Sequence, residues 1–312
     1  MAYAFDPELA EVVPLLPTLD GSDPAAARAA LSEMIAQLPA PDATGVQHED
    51  RVIPGRPGDP DVPIRVYRPD ERRAPAAVYS VHGGGFIAGD IETEHASNIR
   101  LARELGIVVV AVDYRLAPET PFPGPLEDVY AGLVWTAQHA DELGVDAGRI
   151  AIYGVSAGGG LCAALALLAR DRNGPRIAFQ FLSVPELDDR LTTASMTAFT
   201  DTPLWNRPNA VASWDHYLGP GRAGTDDVSS YAAPARATDL AGLPPAYVSV
   251  MQFDPLRDEG IAYALAMLAA GVTVELHLFP GTFHGSALVP HAAISQREQA
   301  EAVAVLGRAL AL

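Results

Sequence analysis

Ser156 stands in the stretch "RIAIYGVSAGGGL" (149–161), where an apolar strand-like run meets an apolar helix-like run. Gly154 and Gly158 flank it as G-x-S-x-G. That spacing lets a strand turn sharply into a helix with the hydroxyl at the apex, in a backbone that bulkier neighbours would block. The chemistry such a serine offers is nucleophilic attack, provided a base takes its proton. The same residues also read as a glycine-rich turn whose serine caps the helix, so the rest of the chain must decide. All 21 Lys+Arg residues are arginines, which removes a lysine base, a Schiff-base lysine and a phosphate-loop lysine together. Histidine is the base that remains.

His284 follows the extended run 273–279 in "FPGTFHG", on a loop from which a side chain can reach across a sheet end. Asp254 ends the run before it, in "FDPLRDEG" (253–260), and can orient an imidazole and stabilise its charged form. Both have plainer readings, His284 as a loop histidine bonded to backbone and Asp254 as a helix cap. Asp258 and Glu259 are nearby rivals. Asp254 is preferred because it sits at the strand end, whereas Asp258 falls in the first helical turn. A serine attacking a carbonyl generates an oxyanion that needs preorganised N–H donors. "VHGGGF" (81–86) ends another strand-like run, and Gly84 and Gly85, with Gly83 as a further option, let backbone approach a substrate closely. The N–H of Ala157, just after the serine, is the matching donor from the other side.

These four segments share a position, each at the carboxyl end of a predicted strand. The predicted strands are 76–82, 107–113, 149–154, 178–184, 245–252 and 273–279, alternating with helices near 95–105, 125–141, 159–172, 257–270 and 291–310. Near-continuous Val/Ile/Ala strands between helices predict a mostly parallel α/β sheet covered on both faces. "RVIPGRPGDPDVPIRVYRP" (51–69) adds an antiparallel hairpin. Open α/β sheets place function beyond the carboxyl ends of their strands. Residues 1–45 read as helices, with Asp23-Pro24 as a helix start. Residues 186–242 hold no convincing strand and are too long for a bare loop, so they read as a small helical insertion. Together the two segments form a cap over a domain made of 46–185 and 243–312. Trp205, Trp214 and Tyr217 in the insertion are assigned to packing.

Composition narrows the partners. With 312 residues, 49% of them hydrophobic, the chain can bury a large core. A net charge of −18 argues against nucleic acid. The apolar runs are shorter than the ~20 residues of a membrane span, and the N-terminus reads as neither a secretory nor a mitochondrial leader, so a cytoplasmic protein is expected. Cys162, the only cysteine, reads as a small core residue. His284 and His291 do not form H-E-x-x-H, and no G-x-G-x-x-G is present. No metal and no cofactor is expected.

With these motifs in place, the chain resembles the bacterial hormone-sensitive-lipase-like esterases of the α/β-hydrolase superfamily. The resemblance rests on "HGGGF" (82–86), "VDYRLAPETPFPGPLED" (112–128), "GVSAGG" (154–159), "DPLRDEG" (254–260) and "HG" (284–285), and runs from about residue 50 onward. It implies an α/β-hydrolase fold with a mostly parallel eight-stranded sheet and a helical cap. It implies a catalytic triad of Ser156, Asp254 and His284, and glycines of the HGGG box in the oxyanion hole. The implied reaction is hydrolysis of a small-molecule ester through an acyl-enzyme. An amidase, lactonase or deacetylase would use the same triad. Plant receptors on this fold lack the histidine that His284 supplies here. The chain departs from the family at Val155, where one branch carries aspartate and another threonine. That leaves subfamily, substrate and dimer geometry open. Residues 271–280 ("GVTVELHLFP") are expected as an edge strand guarded by Thr273, Glu275 and His277. The resemblance implies a homodimer through that edge.

Overall fold

Two proline-led helices, α1 (Pro7–Val12) and α2 (Pro24–Ala36), begin the computed structural model, which describes residues 3–312. Residues 1 and 2 of the expected N-terminal segment lie outside the described residues. Asp6 and Asp23 accept hydrogen bonds from the N–H groups of Glu8 and Ala26 at 2.9 and 3.0 Å. Each thereby satisfies a donor that the first helical turn cannot. Proline sits where no N–H is missed.

The predicted hairpin forms β1 (Val46–Ile53) and β2 (Val62–Pro69), paired antiparallel around a proline- and glycine-rich turn. Six parallel strands follow: β3 (Ala77–Val81), β4 (Val108–Val112), β5 (Ile150–Val155), β6 (Phe179–Ser183), β7 (Ala246–Phe253) and β8 (Val274–Phe283). The order across the eight-stranded sheet is β1-β2-β4-β3-β5-β6-β7-β8, with β2 antiparallel to β4. Between them run α3 (His95–Leu105), α4 (Gly124–Gln138), α5 (Ala140–Leu143), α6 (Ala157–Asp171), α7 (Ala194–Ala198), α8 (Arg207–Leu218), α9 (Arg257–Ala269) and α10 (Ala293–Ala309). All six strands predicted after the hairpin are present, with ends shifted by a few residues.

Alternation along the strands divides the core. Val78, Val109 and Phe181 pack against α3 and α10 through Ile99, Leu105 and Leu306. Their neighbours Tyr79, Val110 and Ile152 turn to the other face, where Leu133, Leu165 and Met267 belong to α4, α6 and α9. Because β3 lies between β4 and β5, the strand order reverses there. That reversal opens a crevice at the carboxyl ends of β3 and β5. Residues 186–242 contribute α7, α8 and a single 3-10 turn, but no strand among the described residues.

The last strand does lie at the sheet edge, but its guard differs from the expectation. Glu275 pairs with Arg308 at 2.8 Å, and His277 contacts Glu301 on α10. The intervening Leu276 and Leu278 project to the opposite face and stay 37% and 40% exposed. A two-residue period turns the polar side chains toward α10 and leaves leucines on the open side.

Candidate active site

Ser156 closes the turn from β5 into α6 with φ 57° and ψ −121°, a left-handed backbone that a serine adopts only under constraint. The constraint is visible. Its N–H donates to the Ser183 carbonyl at 2.9 Å, and its carbonyl accepts from Gly160 and Glu186 at 3.0 and 3.1 Å. The flanking glycines are required by close approach. A β-carbon on Gly154 would lie 2.2 Å from the Gly158 carbonyl oxygen, and one on Gly158 would lie 2.2 Å from that of Val81.

His284 follows β8 directly, and Asp254 follows β7. The imidazole Nε2 is 2.9 Å from Ser156 Oγ, and its Nδ1 is 2.8 Å from Asp254 Oδ2. All three side chains are buried. Asp254 Oδ1 also accepts the Leu256 N–H at 2.9 Å. That bond closes a local turn ahead of α9, whose N-cap is Leu256 with no side-chain cap bond, so the helix-cap reading of Asp254 is not what the structure shows. The rivals are engaged elsewhere. Asp258 accepts from the Ser195 N–H at 2.7 Å and from Arg257 at 2.8 Å. Glu259 accepts from the Leu187 N–H at 2.6 Å, and burial raises its pKa well above the usual range.

The glycine loop after β3 comes to the same place. Gly84 (φ 122°) and Gly85 (φ 58°) occupy conformations that favour glycine. Among the described residues their N–H groups meet no acceptor, and Ala157 begins α6 with an N–H that the helix leaves free. His82 anchors the loop. Its Nδ1–H donates to the Gly83 carbonyl at 2.8 Å, and its ring stacks on Tyr114 with centroids 4.1 Å apart. Burial lowers the His82 pKa to about 4, so it stays neutral. The Tyr114 hydroxyl donates to the His82 carbonyl at 2.9 Å.

Ser156, His284 and the glycine loop line a cavity of about 410 Å³. Leu31 and Met34 of α2, together with Leu38, Leu204 and Leu288, make its wall apolar. Glu94, Arg100 and Glu298 line another part of it, and burial raises the two carboxyl groups to about 7 and about 8. Val155 lines the cavity too and packs on Val184, Met251 and Phe279. Trp205 packs in the hydrophobic core as assigned, and it also faces the site. It lines the cavity, lies against Gly85, and its ring centroid is 5.8 Å from that of His284. Trp214 and Tyr217 are fully buried, with Tyr217 stacked on Phe86 at 4.1 Å. Cys162 is buried in the core.

Sequence reasoning assigned no chemistry to Tyr114, which stacks on His82, and gave Trp205 a packing role alone. Tyr114 lies in "VDYRLAPETPFPGPLED", a segment that carried resemblance but no assigned chemistry. Trp205 meets Gly85 through a contact between distant segments, which local pattern does not reveal.

A parallel sheet with a strained serine at its switch point, followed in the chain by aspartate and then histidine, defines a serine hydrolase of the α/β class. Residues 78–288 match the family described as alpha/beta hydrolase fold, and the chain belongs to that family. It is 42% identical over 217 residues to Esterase LipI of Mycobacterium tuberculosis, covering 70% of this chain and 67% of that protein. It is 42% identical over 243 residues to Carboxylesterase NlhH of the same organism, covering 76% of this chain and 74% of the relative. Among solved structures, a bacterial heroin esterase superposes with a TM-score of 0.94 at 54% identity, over 98% of each chain.

Proposed function

We propose that this chain is a carboxylesterase that hydrolyses short-chain acyl esters, with Ser156, His284 and Asp254 as its triad. The observation that carries this reading is the continuous hydrogen-bonded path from Asp254 through His284 to Ser156 at the wall of a cavity. His284 takes the Ser156 proton as Oγ bonds to the ester carbonyl carbon, and Asp254 stabilises the imidazolium. The carbonyl oxygen becomes an oxyanion held by the N–H groups of Gly84, Gly85 and Ala157. His284 then protonates the departing alcohol. Water, deprotonated by His284, attacks the acyl-enzyme and releases the acid and free Ser156. No step calls for a cofactor.

We read residues 1–45 and 186–242 as one cap over the catalytic unit 46–185 and 243–312. Leu31, Met34 and Leu38 from the first segment and Leu204 and Trp205 from the second line the cavity, which makes a bounded pocket rather than an open groove. Activated esters from two to sixteen acyl carbons are therefore expected to peak at the short end. They should fall by about tenfold or more at the long end, since an acyl chain longer than the pocket must displace its walls, and overpacking costs about 1–3 kcal/mol. Amides and lactones assayed beside them should be slower. Strong hydrolysis of emulsified long-chain triglyceride, activated at the oil surface, contradicts the reading.

A cytoplasmic setting is part of this proposal, one in which the single buried Cys162 remains a thiol. Among the described residues, no helix is long and apolar enough to cross a membrane.

The open edge of β8 supports a homodimer. Leu276 and Leu278 are exposed there, and so are Leu265 and Leu268 on α9, which packs beside this strand. Unpaired strand edges invite a partner strand, and twofold symmetry would bring each edge to its counterpart. Ala246 N–H bonds to the Thr273 carbonyl, so the parallel ladder turns the Val274 N–H outward. Val274→Pro removes that outward donor, and light scattering at micromolar concentration should report a dimer for the parent and a folded monomer for the variant. A monomeric parent, or a folded variant that stays dimeric, refutes this interface.

A further inference from the structure

Ser213 on α8 has a single hydroxyl proton and two oxygen neighbours, the Gly85 carbonyl at 2.8 Å and Glu186 Oε1 at 3.1 Å. At these distances no water fits between the partners, and Ser213 and Glu186 are both fully buried. A hydroxyl donates once, and a carbonyl only accepts. If the Ser213 proton serves Gly85, the second contact is a hydrogen bond only when Glu186 is the donor, which requires the protonated acid. The surroundings favour that form. Glu186 faces the negative charge of Asp254, and among the described residues no cation offsets that charge and Oε2 has no partner. An ionised carboxylate in that setting is costly, whereas a neutral acid with one idle carbonyl oxygen is tolerated.

We propose that Glu186 is a positioning residue, a neutral acid whose O–H holds Ser213, which in turn holds the Gly85 carbonyl and sets the oxyanion-binding turn. The inference rests on the proposed ester hydrolysis at Ser156. Glu186 is tied to the nucleophile as well, because its backbone N–H donates to the Ser156 carbonyl at 3.1 Å. One residue thus links the two halves of the oxyanion site, by its main chain to the serine turn and by its side chain to the glycine loop.

Burial, with a further push from Asp254, raises the Glu186 pKa to about 8. Below that pH the acid form persists and the relay is intact. Above it the carboxylate becomes the stronger acceptor, draws the Ser213 proton to itself and releases the Gly85 carbonyl. Turnover should therefore fall as pH rises through about 8. The other titratable groups facing Glu186 are Asp254 after β7, Glu259 on α9, Tyr217 on α8 and Tyr114. Burial raises both phenols far above this range. Glu259 is raised as well and also titrates from the neutral acid, so the test must isolate Glu186.

The experiment measures kcat and KM for one short-chain ester from about pH 6 to about pH 10 in the parent, Glu186→Gln, Glu186→Leu and Ser213→Ala. Thermal melting establishes that each variant is folded. The parent should lose turnover above about pH 8. Glu186→Leu and Ser213→Ala should lose about tenfold in kcat at neutral pH with KM within about twofold, because a donor network for the transition state is loosened. Glu186→Gln keeps an N–H donor at every pH, so it should rescue most of that loss and lack the alkaline decline. The proposal is overturned by an alkaline decline in Glu186→Gln that matches the parent, by a parent without any decline, or by a Gln variant as slow as Leu. Should Glu186→Leu not fold, the comparison of parent with Glu186→Gln still decides. A parent that hydrolyses no ester overturns the underlying reading as well, which separates the two failures.

Discussion

Ser156→Ala and His284→Ala are each expected to lower kcat by about 10⁵- to 10⁶-fold, with the double variant little worse than either. The reason is the single path of proton transfer. His284 Nε2 sits 2.9 Å from Ser156 Oγ, and all 21 Lys+Arg residues are arginine, so no lysine can take over as base. Residual turnover should come from the oxyanion donors and binding alone. KM should change little, because neither side chain holds the substrate before attack. Ser156→Ala also relieves nothing structurally, since alanine must still adopt φ 57°. The check is kcat on purified, folded variants. Activity in Ser156→Ala near the parent level removes the nucleophile from the account.

Asp254→Asn is expected to cost about 10⁴-fold in kcat, while Asp258→Asn costs less than about tenfold. The contrast follows from where the two carboxylates are spent. Asp254 Oδ2 lies 2.8 Å from His284 Nδ1 and fixes the tautomer that leaves Nε2 free to accept a proton. An amide there can present its NH₂ and favour the opposite tautomer. Asp258 instead tethers the Ser195 N–H at the start of α7 and pairs with Arg257. Its loss should reach stability before chemistry. Equal losses in kcat for the two variants would mean that the orienting acid has been assigned wrongly.

The sheet was legible because its strands are short, apolar and β-branched, and its helices fall between them at the expected spacing. Ser156 and its glycines were legible for a similar local reason, since a serine turn this sharp excludes β-carbons at Gly154 and Gly158. The choice of Asp254 over Asp258 came from counting residues past a strand end, and the distances place Asp254 beside His284. What stayed hidden was tertiary. Trp205 reaches the cavity only because its segment folds back over the glycine loop, where its ring occupies the space that a Gly85 side chain would need. Glu186 had no local signal at all, because its role depends on Ser213, twenty-seven residues away in sequence. The edge strand was placed correctly but its faces were weighed wrongly. Alternation showed which residues share a side but not that Glu275 and His277 meet Arg308 and Glu301 of α10.

The most direct test of the central claim is covalent trapping of the nucleophile. A small organophosphonate ester should add once per chain, and only when His284 is present. Cleavage after arginine isolates Ile150–Arg170, a fragment whose sole serine is Ser156. Mass spectrometry should find the whole adduct on that fragment in the parent and none in His284→Ala. An adduct on any other fragment, or full labelling of Ser156→Ala, would contradict the account.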